Sequence, residues 1–228
     1  MAVSGTAVGA VLLTGCAEYG ADLMVERRIA DALRPRLGAN EVDLAGSGLV
    51  AVARGRVGSA EVSADEASFG LVTGASVRLT LDGVTMGEDG RGTVGSVEGR
   101  VTVPTGAVRD SLAAGDRALP VSSVSTDPAS GTLRLGIGPG GAATVLLRPG
   151  LTGGRLSFTV AGATLLGRPA PERMVSAVRD GLAARQADSA ADPDTAALPG
   201  LAPESVRVTE QGLEVTLRGE DVRLGAQP

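Results

Sequence analysis

The sequence predicts an α+β protein: a strongly curved antiparallel β-sheet, built as a meander, wraps around a long N-terminal amphipathic helix, with a second helix near the C-terminal third. Three observations carry that expectation. In Thr132–Leu166 (TLRLGIGPGGAATVLLRPGLTGGRLSFTVAGATLL) three apolar runs, Leu133/Leu135/Ile137, Thr144–Leu147 and Leu156/Phe158/Val160, are separated by glycine- and proline-bearing turns. Alternation of period two between turn residues is the pattern of half-buried antiparallel strands. In Ala17–Leu37, Tyr19, Leu23, Ala30, Leu33 and Leu37 fall on one helical stripe, while Glu26, Arg27, Arg28, Asp31 and Arg34 take the other faces. In Pro171–Arg185, Met174, Val175, Val178 and Leu182 form one apolar side behind a proline and a glutamate suited to a first turn. A sheet with one apolar face must cover it, with a helix of its own chain or with an apolar ligand.

Taken in order, Ala2–Gly15 is a short apolar segment, below the ~20 residues a membrane span needs. It reads as the hydrophobic part of an export signal or the remnant of an anchor over residues 1–16, although no Arg or Lys precedes it. Leu13-Thr14-Gly15-Cys16 is similar to a bacterial lipobox, which makes Cys16 the candidate lipidation site; the alternative is a small apolar residue with no such role. Residues 17–228 read as a single domain. Its first helix stops at Gly38, with Pro35 a kink in the last turn. Short strands follow around Val42/Leu44, Leu49–Val52 and Val57–Val62, with glycines that mark bends and bulges. Ser76–Asp82 and Ser96–Val103 alternate cleanly, and Pro104-Thr105 starts a short helix, Gly106–Ala114, carrying Val108 and Leu112. After the central meander and the second helix, Gln186–Pro203 is acidic, small and aperiodic, a mobile loop. The chain closes with a hairpin through Val206/Val208 and Leu213/Val215/Leu217, and a last short strand at Val222–Leu224.

Composition narrows the chemistry. With 43% hydrophobic residues but two Phe, one Tyr and no Trp, the core is made of Val, Leu and Ala. Together with 34 Gly, such an interior leaves room for a flexible apolar guest, unless the glycines reflect only a GC-rich coding bias, as the absence of Lys among 21 basic residues also suggests. A net charge of -5 argues against nucleic-acid partners, which need a basic face. The absence of His removes Ser-His-Asp, Cys-His and histidine-zinc systems, and the absence of Lys removes the Walker A lysine and Schiff-base chemistry. Gly136–Gly141 fits GxGxxG, but a strand and not a helix follows it, so it is a hairpin loop. Asp65-Glu66, Glu88-Asp89 and Asp192/Asp194 lack the spacing of a calcium loop. A glycosidase built on two carboxylates would lack aromatics to stack its substrate. No enzyme, cofactor or metal site is therefore expected.

The order of elements resembles one family, the actinobacterial LmeA-like cell-envelope phospholipid-binding proteins. The resemblance rests on Val25–Leu33 (VERRIADAL), Ser96–Pro104 (SVEGRVTVP), Leu198–Leu201 (LPGL) and Ser205–Leu224 (SVRVTEQGLEVTLRGEDVRL). It implies an exported protein of the cell envelope that binds phospholipid in an elongated apolar groove, similar to tubular lipid-binding domains, where a long helix lies along a curved sheet. Members commonly carry a glycine-phenylalanine-proline-phenylalanine type segment after the first strand; here Gly46-Ser47-Gly48-Leu49 lacks both aromatics.

Two functions stand on these readings. The first is a non-enzymatic phospholipid-binding protein working at a membrane surface, with Leu79, Leu81, Leu133, Leu135, Ile137, Leu156, Phe158 and Val160 contacting acyl chains. The second is a structural or interaction domain of the envelope whose same residues are plain core. Burial of one such side chain is worth ~1.5–3 kcal/mol against protein or lipid alike, so the alternation does not separate them.

Overall fold

The computed structural model describes residues 41–45, 56–69, 72–86, 92–114, 119–191 and 200–224. The chain runs through β1 (Glu41–Ala45), β2 (Arg56–Phe69), β3 (Val72–Met86), β4 (Gly92–Pro104), α1 (Thr105–Ala113), β5 (Val121–Asp127), β6 (Thr132–Ile137), a single 3-10 turn (Pro139–Gly141), β7 (Ala143–Thr152), β8 (Arg155–Leu165), β9 (Arg168–Pro169), α2 (Glu172–Ala191), β10 (Leu201–Thr209) and β11 (Gly212–Leu224). The strands form two open antiparallel sheets, one in the order β1-β2-β3-β4-β11-β10 and one in the order β5-β6-β7-β8-β9.

This corrects the predicted fold class. Strand accounts for 67% of the described residues and helix for 20%, so the protein is mainly β and not an α+β wrap of one sheet. Among the described residues there is no long N-terminal helix. The predicted helix Ala17–Leu37, the segment 1–16 with Cys16, and Gly46–Leu49 all lie outside the described residues. The single meander becomes two sheets for a topological reason. The edge of β4 is taken by β11, from Gly212↔Pro104 to Leu224↔Gly92, and the chain leaves β4 through Pro104 into α1. β5 finds no free edge there and starts a second sheet.

The alternation works strand by strand. Val77, Leu79 and Leu81 of β3, Val97, Val101 and Val103 of β4, and Leu213, Val215 and Leu217 of β11 point to one side and are buried, while Arg78, Glu98, Arg100 and Arg218 on the opposite face are exposed. The same holds for Leu133 and Leu135 around Arg134 in the smaller sheet. α1 packs between β5 and β3, α2 lies on β8, and β10 touches β7, so one apolar cluster spans both sheets and both helices. The 20 residues of α2 overrun the predicted helix by six. β2 bends at a bulge around Ala64–Ala67, and the residue with positive φ there is Glu66, not a glycine.

Packing requires glycine at several positions, Gly99 among them. Gly99 of β4 lies in register between Leu79 of β3 and Leu217 of β11, and a Cβ at Gly99 would run into the Leu79 side chain. Gly99→Val is therefore expected to lower stability by about 1–3 kcal/mol, read as a shifted midpoint in urea unfolding with an unchanged slope.

Candidate functional site

Two of the concave regions among the described residues differ in chemistry. The larger, about 950 Å³, lies on the polar face of the six-stranded sheet. Ion pairs cross it: Arg218 with Glu98 at 3.0 Å, directly opposite in register, and Arg100 with Glu214 at 3.5 Å. Glu214 also pairs with Arg207 of β10, whereas Arg78 and Arg100 stand opposite each other as like charges. The pair Arg218–Glu98, exposed on both sides, contributes about 0–1 kcal/mol. The floor is charged, hydrated and unsuited to an acyl chain.

The second region is apolar and lies where α1, α2 and both sheets converge. Val108 and Leu112 of α1, Leu182 of α2, Val72 of β3, Leu147 of β7 and Phe158 of β8 enclose a cavity of about 20 Å³, roughly the space of one water-sized sphere. Arg185 is the one charged residue among those lining it. Its guanidinium donates to the carbonyl oxygens of Ser111, Leu112 and Ala114, each at 3.2 Å, and so closes the C-terminal end of α1, where main-chain carbonyls lack helical partners. One residue on, Gln186 Nε2 donates to the Phe158 carbonyl at 3.2 Å. Among its described side chains, α2 buries Val178 and Leu182; polar bonds at Arg185 and Gln186 hold it as well.

Compared with known protein families, the chain matches the LmeA-like phospholipid-binding family over residues 16–218. It belongs to that family. No curated protein and no solved structure matches it. Membership in the LmeA-like family supports a lipid-binding role and a phospholipid partner. Among the described residues no helix is long and apolar enough to cross a membrane, and no group of acidic or cysteine residues is placed to hold a metal ion.

The eight residues proposed from the sequence as acyl-chain contacts are divided by the fold. Leu79 and Leu81, 2% and 0% exposed, lie under the six-stranded sheet, and Leu133 and Leu135 lie under the smaller one. Ile137, Leu156, Phe158 and Val160 are half-buried and pack against the same core. Of the eight, Phe158 lines the apolar cavity. Val108, Leu112 and Leu182 were legible in the sequence as apolar helix sides but not as parts of a shared site, and Arg185 was legible only as a helix end. Nothing local marks them, because the site is made by two helices some seventy residues apart meeting over β8.

Arg185→Ala removes three charge-assisted bonds at once. Its expected cost is about 1–3 kcal/mol, with faster hydrogen exchange at the end of α1 and along α2 and little change in β4 or β11.

Proposed function

We propose that the protein is a non-enzymatic phospholipid-binding protein of the bacterial cell envelope, and that it holds acyl chains between α2 and the five-stranded sheet. Family membership over residues 16–218 carries this reading; the apolar wedge beneath α2 supports the location. A cavity of about 20 Å³ is far below the ~300–1,000 Å³ of ordinary ligand pockets, so lipid uptake requires α2 to move away from β8. The polar latch suits that motion. Releasing the Gln186 bond frees the backbone beside Phe158, and an acyl chain then replaces Leu182 against Phe158 and Leu147, exchanging one apolar contact for another.

The missing His and Lys favour binding over catalysis, and the net charge of -5 favours lipid over nucleic acid. The apolar run Ala2–Gly15 favours export, with Cys16 as an acylation site. The lipid would come from the membrane surface facing the protein. The small cavity favours a second reading, a structural or interaction domain with a filled core.

Native mass spectrometry of the protein purified from a bacterial host, followed by organic extraction, separates the two. The expected result is a phospholipid adduct that Phe158→Asp reduces at least about tenfold, while the circular dichroism of the variant stays that of a folded β protein. An unshifted mass after incubation with phospholipid vesicles would leave the filled-core reading standing.

A further inference from the structure

The smaller sheet ends in a tip that the lipid-holding wedge does not use. β8 and β9 are joined by two residues, Leu166 and Gly167, with Leu165 opposite Arg168. Both loop residues have positive φ, 51° at Leu166 and 76° at Gly167. Such tight hairpin turns favour Asn, Asp or Gly at the first position, since the left-handed region crowds a side chain. Leucine there is poorly suited to the backbone, and it gains nothing from burial: Leu166 is 79% exposed and Leu165 36%. These two are the exposed large hydrophobic side chains among the described residues, and they are adjacent. The tip is also firmly placed, because the Leu166 N–H donates to the Ala142 carbonyl at 2.8 Å, which ties it to the loop after β6. A strained, exposed and well-held apolar residue that no described residue covers points to a partner beyond the described fold.

Charge says which partner. From Pro128 to Pro171 the sequence has no Asp or Glu and four arginines, Arg134, Arg148, Arg155 and Arg168, in a chain whose net charge is -5. Arg168 stands beside Leu165 across the hairpin, and the next carboxylate along the chain, Glu172, pairs with Arg179 at 3.9 Å. Apolar side chains at a tip, with an arginine behind them and no carboxylate in the surrounding strands, fit a surface that is apolar inside and anionic at its boundary.

We propose that the β8–β9 tip is the element by which this protein seats on an anionic bilayer: Leu165 and Leu166 enter the acyl boundary, and the Arg168 guanidinium stays with the lipid phosphates. The purpose of such a seat rests on the lipid-binding reading above, but its measurement does not.

The test is sedimentation of the full chain with vesicles of phosphatidylglycerol mixed into phosphatidylcholine, and with vesicles of phosphatidylcholine alone. Binding to the anionic vesicles is expected, weakened by salt. Leu166→Asn should weaken it about tenfold or more while keeping or raising the melting temperature, because asparagine suits the turn. Leu166→Trp adds the single indole to a chain that has none; its emission should shift to the blue on anionic vesicles. Equal binding by Leu166→Asn and the parent, equal binding to neutral and anionic vesicles, or an indole that stays in water would each overturn the proposal. Lipid carried by Leu166→Asn, read by native mass spectrometry, should equal the parent's. Its loss together with vesicle binding would assign the tip to the holding site instead and overturn the docking role, and a parent that carries lipid yet ignores vesicles would do the same.

Discussion

The pairing of β4 with β11 is the constraint on which the rest depends. It joins the first part of the chain to a hairpin that begins about a hundred residues later; Glu98 and Arg218, opposite each other across it, are 120 apart. Everything from α1 to α2 is an excursion between two strands of one sheet. The excursion is fixed where it touches that sheet: α1 starts with the Thr105 N–H bonded to the Gln211 carbonyl in the β10–β11 turn, and Thr126 of β5 donates to the Glu210 carbonyl in the same turn. Loop closure over such separations is slow, so the larger sheet stays incomplete until β11 arrives.

Within that frame the helices contribute in different ways. α1 is wedged between the sheets through Val108 and Leu112 and belongs to the core. α2 is longer, yet among its described side chains it buries Val178 and Leu182, and its polar attachments run to β8 through Gln186 and to the end of α1 through Arg185. Lifting it off β8 costs the Gln186 bond and apolar burial that a lipid tail can give back, whereas detaching α1 would open the shared interior to water. This inequality, more than the size of any hollow, is the physical case for an occupant beneath α2.

Much of the fold was legible because alternation and helical spacing are local. Ser76–Asp82, Ser96–Val103 and Leu133–Ile137 became the middles of β3, β4 and all but one residue of β6, and Pro171–Arg185 became most of α2. The order of soft motifs points to the same family that the chain matches over residues 16–218. β5 (VSSVSTD) escaped notice because a strand of serines with half-buried valines has little apolar signal. The division into two sheets escaped because alternation says which residues share a face, not which strand lies alongside. For the same reason, Leu79 and Leu135 looked no different from Phe158, although only Phe158 reaches the space under α2. Nothing in the sequence marks Leu165 and Leu166 as exposed; their exposure follows from the two-residue turn Leu166-Gly167.

Arg185 fastens α2 to α1 through the main-chain oxygens of Ser111, Leu112 and Ala114. No side-chain substitution along α1 can delete those acceptors, and a carbonyl has no proton to gain when the medium turns acidic. The exposed side chains of α1 can therefore vary without removing those acceptors, whereas on the α2 side the three bonds depend on the side chain of a single residue.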